Sequence, residues 1–255
     1  GSNSFEIDEK TKITETIKHV NLPGKKIKYA YHISDIHIRK NQSRNEEYIE
    51  VFNKLYADIK SNTSEDKVII ITGDIFHEKC NYNSFSPKLM MDFIENLANL
   101  ADCIIIIGNH DFRSNSNYIE DGLINFIEPI KKYSKYAIHY LDYSGIYYYG
   151  DNLVFGVSSL LDGIIVNPNF ITCNDRIKIA LYHGSLLGSI LQNNQIITDH
   201  NAHISITAFR GYDYVLLGDI HKHQYLNKRN TIAYPSSLIQ QCHGEEFDKH
   251  GYILW

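Results

Sequence analysis

The 255-residue chain predicts an α/β fold in which one β-sheet packs on a second, with helices outside. Three observations carry this. Val68-Ile69-Ile70-Ile71 and Cys103-Ile104-Ile105-Ile106-Ile107 are unbroken apolar runs, as expected of strands buried on both faces. Segments with the amphipathic period of a helix precede each of them. From Ala137 onward the chain turns to short β-type pieces.

Taken in order, Lys28 to Ser34 is a short apolar-rich run opening onto Asp35, a first core strand. Asn45 to Lys60 places Tyr48, Val51, Phe52, Leu55 and Ile59 on one helical face. The strand from Val68 follows, then a second helical pattern from Pro87 to Ala101, and the run from Cys103 ends in Gly108. Strand, helix, strand, helix, strand argues a largely parallel sheet. Beyond it, β-type pieces are predicted at Ala137–Leu141, Gly145–Tyr149, Leu153–Val157, Lys178–Tyr182, Tyr214–Leu217, Thr231–Tyr234 and Tyr252–Trp255. Short helices are expected at Gly122–Lys132 and Ala202–Phe209, and loops at Leu161–Arg176 and Gly188–His203, which hold polar turn formers. No repeat or low-complexity linker divides the chain, so residues 5–255 are expected to form one domain.

A hydrophobic fraction of 43% with 22% charged residues is ordinary globular composition. No apolar stretch approaches the roughly 18 residues of a membrane span, and the N-terminus lacks a signal peptide's apolar core. An intracellular protein of cytoplasm or nucleus, without membrane contact, is expected. Gly1-Ser2-Asn3-Ser4 reads as a cloning scar. The cysteines Cys80, Cys103, Cys173 and Cys242 form no C-x-x-C pair and read as reduced bystanders. A net charge of −5 argues against coating nucleic acid by charge alone, though not against a nuclease, because bound cations invert the local field. Lys25-Lys26-x-Lys28, Arg39-Lys40, Lys131-Lys132 with Lys135, and Lys228-Arg229 read as solvated surface runs.

Five segments carry chemistry: Asp35-Ile36-His37, Gly73-Asp74-Ile75-Phe76-His77, Gly108-Asn109-His110-Asp111, His183-Gly184 and Gly218-Asp219-Ile220-His221. Each closes a β-type run, where α/β sheets tend to place their sites. Carboxylate, amide and imidazole donors suit Mn²⁺, Fe²⁺, Zn²⁺ or Mg²⁺, and the lack of thiolates argues against structural zinc. Asp35 and His37, two residues apart at a strand end, can reach one ion. Asp74 can bridge two ions through its two oxygens, and Asn109 can donate an amide oxygen to the second. Two ions about 3.5–4 Å apart can clamp a phosphate and lower the pKa of a water between them. His110, beside a ligand, is placed to protonate or stabilise a leaving oxygen, with Asp111 fixing its orientation. His77 is open between a substrate contact and a supporting role. His32, His139, His200, His203, His243 and His250 are read as non-ligands.

The set resembles the calcineurin-like metallophosphoesterase superfamily, whose pattern is D-x-H, G-D, G-N-H-D, H and G-H-x-H on a two-sheet αββα sandwich. Within it, the chain is similar to the SbcD-type DNA-repair nucleases. Thr72-Gly73-Asp74-Ile75-Phe76-His77, Ile179 to Gly184, Tyr212 to Gly218, and Tyr234-Pro235-Ser236-Ser237-Leu238-Ile239-Gln240-Gln241 with Gly244-Glu245 carry that narrower match. The resemblance implies that Asp35, His37 and His221 hold one ion and Asn109, His183 and Asp219 the other. Asp74 would bridge them, and His110 would stabilise the transition state.

One position departs from the pattern: Asp219 stands where the family usually has histidine. A third carboxylate biases the site toward harder ions, Mn²⁺ first. A second register, with His221 and His223 as the H-x-H pair, stays open, and His223 is a candidate substrate contact. The resemblance implies DNA ends or single strands as substrate and an SbcC-type ATPase as partner; a homodimer is left open. Relatives of this type continue into a DNA-capping region, whereas this sequence stops near Trp255, so a catalytic core or a minimal enzyme is expected. A phosphatase or small phosphodiesterase, and a scaffold without catalysis, are the competing readings.

Overall fold

A computed structural model describes residues 17–243, 245 and 249–255; the scar expected at residues 1–4 and Gly244 lie outside them. Fourteen strands fall, in chain order, at β1 Lys18–Leu22, β2 Tyr29–Ile33, β3 Lys67–Ile71, β4 Asp102–Ile105, β5 Phe112–Ser114, β6 Ile119–Asp121, β7 Ile138–Tyr140, β8 Gly145–Tyr149, β9 Leu153–Ser158, β10 Ile177–His183, β11 Tyr214–Gly218, β12 Gln224–Tyr225, β13 Ile232–Tyr234 and β14 Ile253–Leu254. The α-helices are α1 Asn45–Ser61, α2 Phe85–Ala98 and α3 Ile124–Lys131. None of the described helices is long and apolar enough to cross a membrane.

Two sheets stack. The first runs β14-β2-β3-β4-β7, parallel except for β14, and the second β1-β8-β9-β10-β11-β13-β12. The β-branched run of β3 shows why both its faces must be apolar. Ile69 and Ile71 pack with α1 and α2 through Phe52, Leu55, Phe93 and Leu97, whereas Val68 and Ile70 meet Phe155, Val157 and Leu181 of the facing sheet. All four of these β3 side chains have no exposed surface, and burying each is worth about 1.5–3 kcal/mol.

The outer layers differ from the expected symmetry. Helices α1 to α3 cover the first sheet, but the second is covered by irregular chain, with 3-10 turns at Pro168–Phe170 and Ile206–Phe209. The helix expected at Ala202–Phe209 is thus only the second of these turns. Leu186, Phe209 and Ile220 pack there on Ala180, Val215 and Leu217, so loops supply the apolar cover that helices supply opposite. All four cysteines are free.

Candidate binuclear metal centre

The ligand-bearing segments meet where β2, β3, β4, β10 and β11 run out. At these ends the backbone turns sharply. Asp35 (φ 54°), His37 (φ 52°), Asp74 (φ 55°) and Asp219 (φ 109°) all adopt left-handed conformations that cost non-glycine residues roughly 1–3 kcal/mol each. Four strained residues in one cluster show that the fold holds these side chains where local preference would not. Gly73 (φ +94°) lets the strands converge: a Cβ there would come 2.6 Å from His183 Nδ1 and 2.7 Å from Gly108 Cα.

Asp35, His37 and His221 form one group, and Asp35, Asp74 and His183 another, the donor atoms of each lying within 4.8 Å of one another. His37 Nε2 and His221 Nε2 are 3.0 Å apart, and His183 Nε2 lies 2.9 Å from Asn109 Oδ1. Asp219 Oδ1 is 3.7 Å from His183 Nε2, while its Oδ2 accepts from the Ser185 hydroxyl. All seven expected ligands are therefore assembled.

Asp74 differs in detail from the expected bridge through two oxygens. Its Oδ2 alone faces both halves, 3.5 Å from His37 Nε2 and 3.3 Å from His183 Nε2, and Oδ1 accepts from the His110 backbone N–H at 2.8 Å. Asp35 is divided in the same way. Its Oδ2 accepts from Ser34 Oγ (2.6 Å) and Asp219 N (3.0 Å), and Oδ1 is buried with no hydrogen-bond partner among the described residues.

The imidazoles are fixed by groups that can only accept. His183 Nδ1 donates to the Thr72 carbonyl at 2.7 Å, and His221 Nδ1 faces the Glu245 carboxylate at 3.0 Å. Holding the Nδ1 proton turns Nε2 inward as a ligand, the usual supporting arrangement of metal-binding histidines. The centre therefore demands positive charge, as protons or cations. Burial alone would lower His221, but the carboxylates of Asp35, 3.6 Å away, and Glu245 outweigh it and raise the pKa to about 10. Burial likewise opposes ionisation of Asp35, yet His221 and His37 hold it well below the usual range. An orphaned carboxylate oxygen, facing imidazole nitrogens and an oxygen-nitrogen donor set without thiolate fit divalent cations.

His110 Nδ1 donates to the His77 carbonyl at 2.7 Å, and the two rings stack at 5.2 Å. His110 Nε2 makes no hydrogen bond among the described residues and is free to meet a ligand. Asp111 does not orient His110, contrary to expectation. Its buried carboxylate accepts from the backbone N–H groups of Asp74 (2.8 Å), Phe76 (2.9 Å) and Gly108 (2.9 Å), pinning the second and third motifs together. His77 Nδ1 lies 3.1 Å from His37 Nδ1. His221, not His223, enters the cluster; His223 lies outside it beside Tyr225.

Glu245, quoted above only as part of the nuclease-like stretch, takes a supporting place in the centre. It orients His221 and accepts from Gln241 N at 2.7 Å. The surrounding stretch lies against the ligands: Leu238 N donates to Asp35 O and Ser237 N to His221 O, both at 3.3 Å.

The model of the calcineurin-like phosphoesterase family matches residues 30–226. An uncharacterized protein of Acanthamoeba polyphaga mimivirus is 41% identical over 245 residues, covering 90% of this chain and 17% of its own. A protein of invertebrate iridescent virus 6, provisionally named a phosphoesterase, is 25% identical over 87% of this chain and 73% of its own. The SbcD subunit of the SbcCD nuclease of Staphylococcus epidermidis is 22% identical over 72% of this chain and 54% of its own length. The chain thus spans about a sixth of the mimivirus relative and about half of the bacterial nuclease subunit.

Proposed function

The chain belongs to the calcineurin-like phosphoesterase family, and we propose that it is a hydrolase of phosphoester bonds, a binuclear-metal phosphodiesterase that cuts DNA. The observation that carries the metal reading is the convergence of inward imidazole nitrogens on Asp35 Oδ1, which is buried without a hydrogen bond among the described residues and lies 3.5 and 3.6 Å from His37 and His221 Nε2. Asp35, His37 and His221 would hold one divalent ion and Asn109, His183 and Asp219 the other, and Asp74 would serve both. Bound there, the ions supply Lewis-acid charge for the phosphate and lower the pKa of an attacking water.

The chain's own residues do the rest. Glu245 and the Thr72 carbonyl hold His221 and His183 in the ligating tautomer. Asp111 fixes the loops that carry Asp74 and Asn109. His110, clamped by the His77 carbonyl, presents Nε2 toward the leaving oxygen, where a donated hydrogen bond or proton lowers the barrier.

DNA as substrate rests on the likeness to the bacterial SbcD nuclease subunit and on the nuclease-like stretch from Tyr234, which packs against Asp35 and His221. By the same likeness, an SbcC-type ATPase is the proposed partner. The test incubates the chain and Mn²⁺ with end-labelled duplex and single-stranded DNA, bis(p-nitrophenyl) phosphate and p-nitrophenyl phosphate, with Asp74→Asn and His110→Ala alongside. DNA cleavage lost in both variants is expected. Monoester hydrolysis with DNA untouched would refute the nuclease reading in favour of a phosphatase.

A further inference from the structure

The basic pair Arg39-Lys40 follows directly on the first ligand motif, and in sequence it reads as a solvated surface run. The structure places Arg39 otherwise. It is half-buried, and its Nη2 donates to Gln241 Oε1 at 2.8 Å. Gln241 is held in turn: its Nε2 donates to Tyr48 Oη (3.1 Å) and to the Ile239 carbonyl (3.1 Å), and its backbone N–H to Glu245. Tyr48 closes the circuit by donating to the His37 carbonyl at 2.9 Å. The guanidinium is thus oriented by a network anchored on the first ligand segment and on the residue that orients His221.

Two features of this arrangement matter. The partner of Arg39 is a neutral amide, and among the described residues Arg39 forms no ion pair with a carboxylate. By contrast, nearby Arg44 is neutralised by Glu47 through two 2.8 Å bonds. Arg39 also sits on the His110 side of the centre. Ile38 bridges to Phe76, and His77 N donates to Ile38 O at 3.1 Å, which sets Arg39 beside the histidine stacked on His110.

Arg39 lies at a groove of about 610 Å³ lined by Asn41, Arg44, Glu47, Gln240, Gln241 and His243, in which Glu47 is engaged by Arg44. A second groove, of about 460 Å³, starts at His221 and Glu245 and includes Lys222 and His223. Gln240 to His243 line the first, and Glu245 lines the second. A small phosphate ester has nothing to place in either groove, whereas an extended phosphodiester does.

Resting on the phosphodiesterase reading above, we propose that Arg39 is a subsite for a second phosphate, next to the one being cut, and thereby selects a polynucleotide strand over a small ester. A planar fork, already oriented by a neutral amide and in no ion pair with a carboxylate among the described residues, suits a phosphate oxygen pair. Such contacts set the register of a nucleic acid without reading its bases.

The test compares the wild-type chain, Arg39→Gln and Arg39→Lys in Mn²⁺ on a labelled single-stranded oligonucleotide and on bis(p-nitrophenyl) phosphate, with thermal unfolding as the folding control. Arg39→Gln is expected to raise KM for the oligonucleotide about tenfold with little change in kcat, the loss of one charged hydrogen bond. The loss should be far smaller on the small diester. The slope of log affinity against log salt should fall by about 0.7, one phosphate contact on a single strand. Arg39→Lys should keep that slope and restore part of the affinity. A methylphosphonate scanned along the oligonucleotide should, at one position, weaken the wild type but not Arg39→Gln. Equal losses on both substrates with an unchanged slope would make Arg39 a mere prop for Gln241 and overturn the subsite. A wild-type chain that hydrolyses the small diester but cuts no oligonucleotide would overturn the subsite and the DNA reading together.

Discussion

Asp111 offers the sharpest separation of a structural from a chemical role. Its carboxylate has no exposed surface and accepts three backbone N–H bonds, two on Oδ2 and one on Oδ1. In Asp111→Asn the amide oxygen can retain the two donors on one side, but its NH₂ then faces the Phe76 N–H, leaving one buried donor unmet. That costs about 1–3 kcal/mol, or roughly 4–8 °C in Tm for a 2 kcal/mol loss in a domain this size. In Asp111→Ala all three donors are orphaned. Burial and the Asp74 carboxylate push the Asp111 pKa up to about 8, so the acid is itself held unfavourably in the fold, and its removal relieves part of the cost. A net loss of about 3–5 kcal/mol follows, against a typical total of 5–15. Urea and thermal unfolding in EDTA, where metals contribute nothing, measure both. An Asp111→Asn chain that melts within about 1 °C of the wild type but loses turnover would refute this assignment and restore a direct catalytic role.

Three further outcomes follow from the geometry. A Cβ at Gly218 would fall on the Thr72 carbonyl and the Ser34 hydroxyl and 2.8 Å from His183 Nδ1; Gly218→Ala should therefore lose at least tenfold in metal affinity, as when a supporting contact is removed. Gly251→Ala, which meets nothing within 4 Å, is the control, and equal metal affinities in a calorimetric titration would contradict the close approach. The folded-state pKa of His221, about 10, lies above the unfolded value of 6.5, so its protonation stabilises the metal-free fold below pH 6.5 and that contribution is lost as pH rises toward 10. Divalent ions compete with such protons, so Mn²⁺ binding near neutral pH should release them and tighten by about a decade per pH unit for each proton displaced; identical heats in buffers of different ionisation enthalpy would argue against this. Asp219→His should shift metal preference from Mn²⁺ toward Zn²⁺, read as metal content after exposure to an equimolar mixture, and a wild type that already selects zinc would show that the third carboxylate does not set preference.

The ligands are legible in the sequence because each ends a strand whose apolar run marks it. Val68–Ile71 and Cys103–Ile107 could only be strands buried on both faces, and so they are, though β4 stops at Ile105. Strands with mixed polarity are not legible: β1 (KHVNL), the β5-β6 hairpin (FRS, IED) and β12 (QY) are short, charged or half-exposed, and pairing rather than pattern defines them. Helix α2 begins at Phe85, before Pro87, because Asn83 Oδ1 accepts from the N–H groups of Phe85 and Ser86. Around the centre, the supporting contacts that the motifs do not specify run through groups every residue has, or from afar. Thr72 and His77 contribute carbonyls, and Glu245 reaches His221 across 24 positions of chain. Asp111, adjacent in sequence to His110, is directed by the turn onto backbone amides instead.

Adding Mn²⁺ back to metal-stripped protein while following cleavage of end-labelled DNA tests the binuclear nuclease most directly. No cleavage is expected in EDTA, with recovery that saturates at two ions per chain, and none in Asp74→Asn, whose Oδ2 faces both halves of the centre. Full cleavage at one ion per chain, or cleavage that persists in EDTA, would contradict a two-metal site.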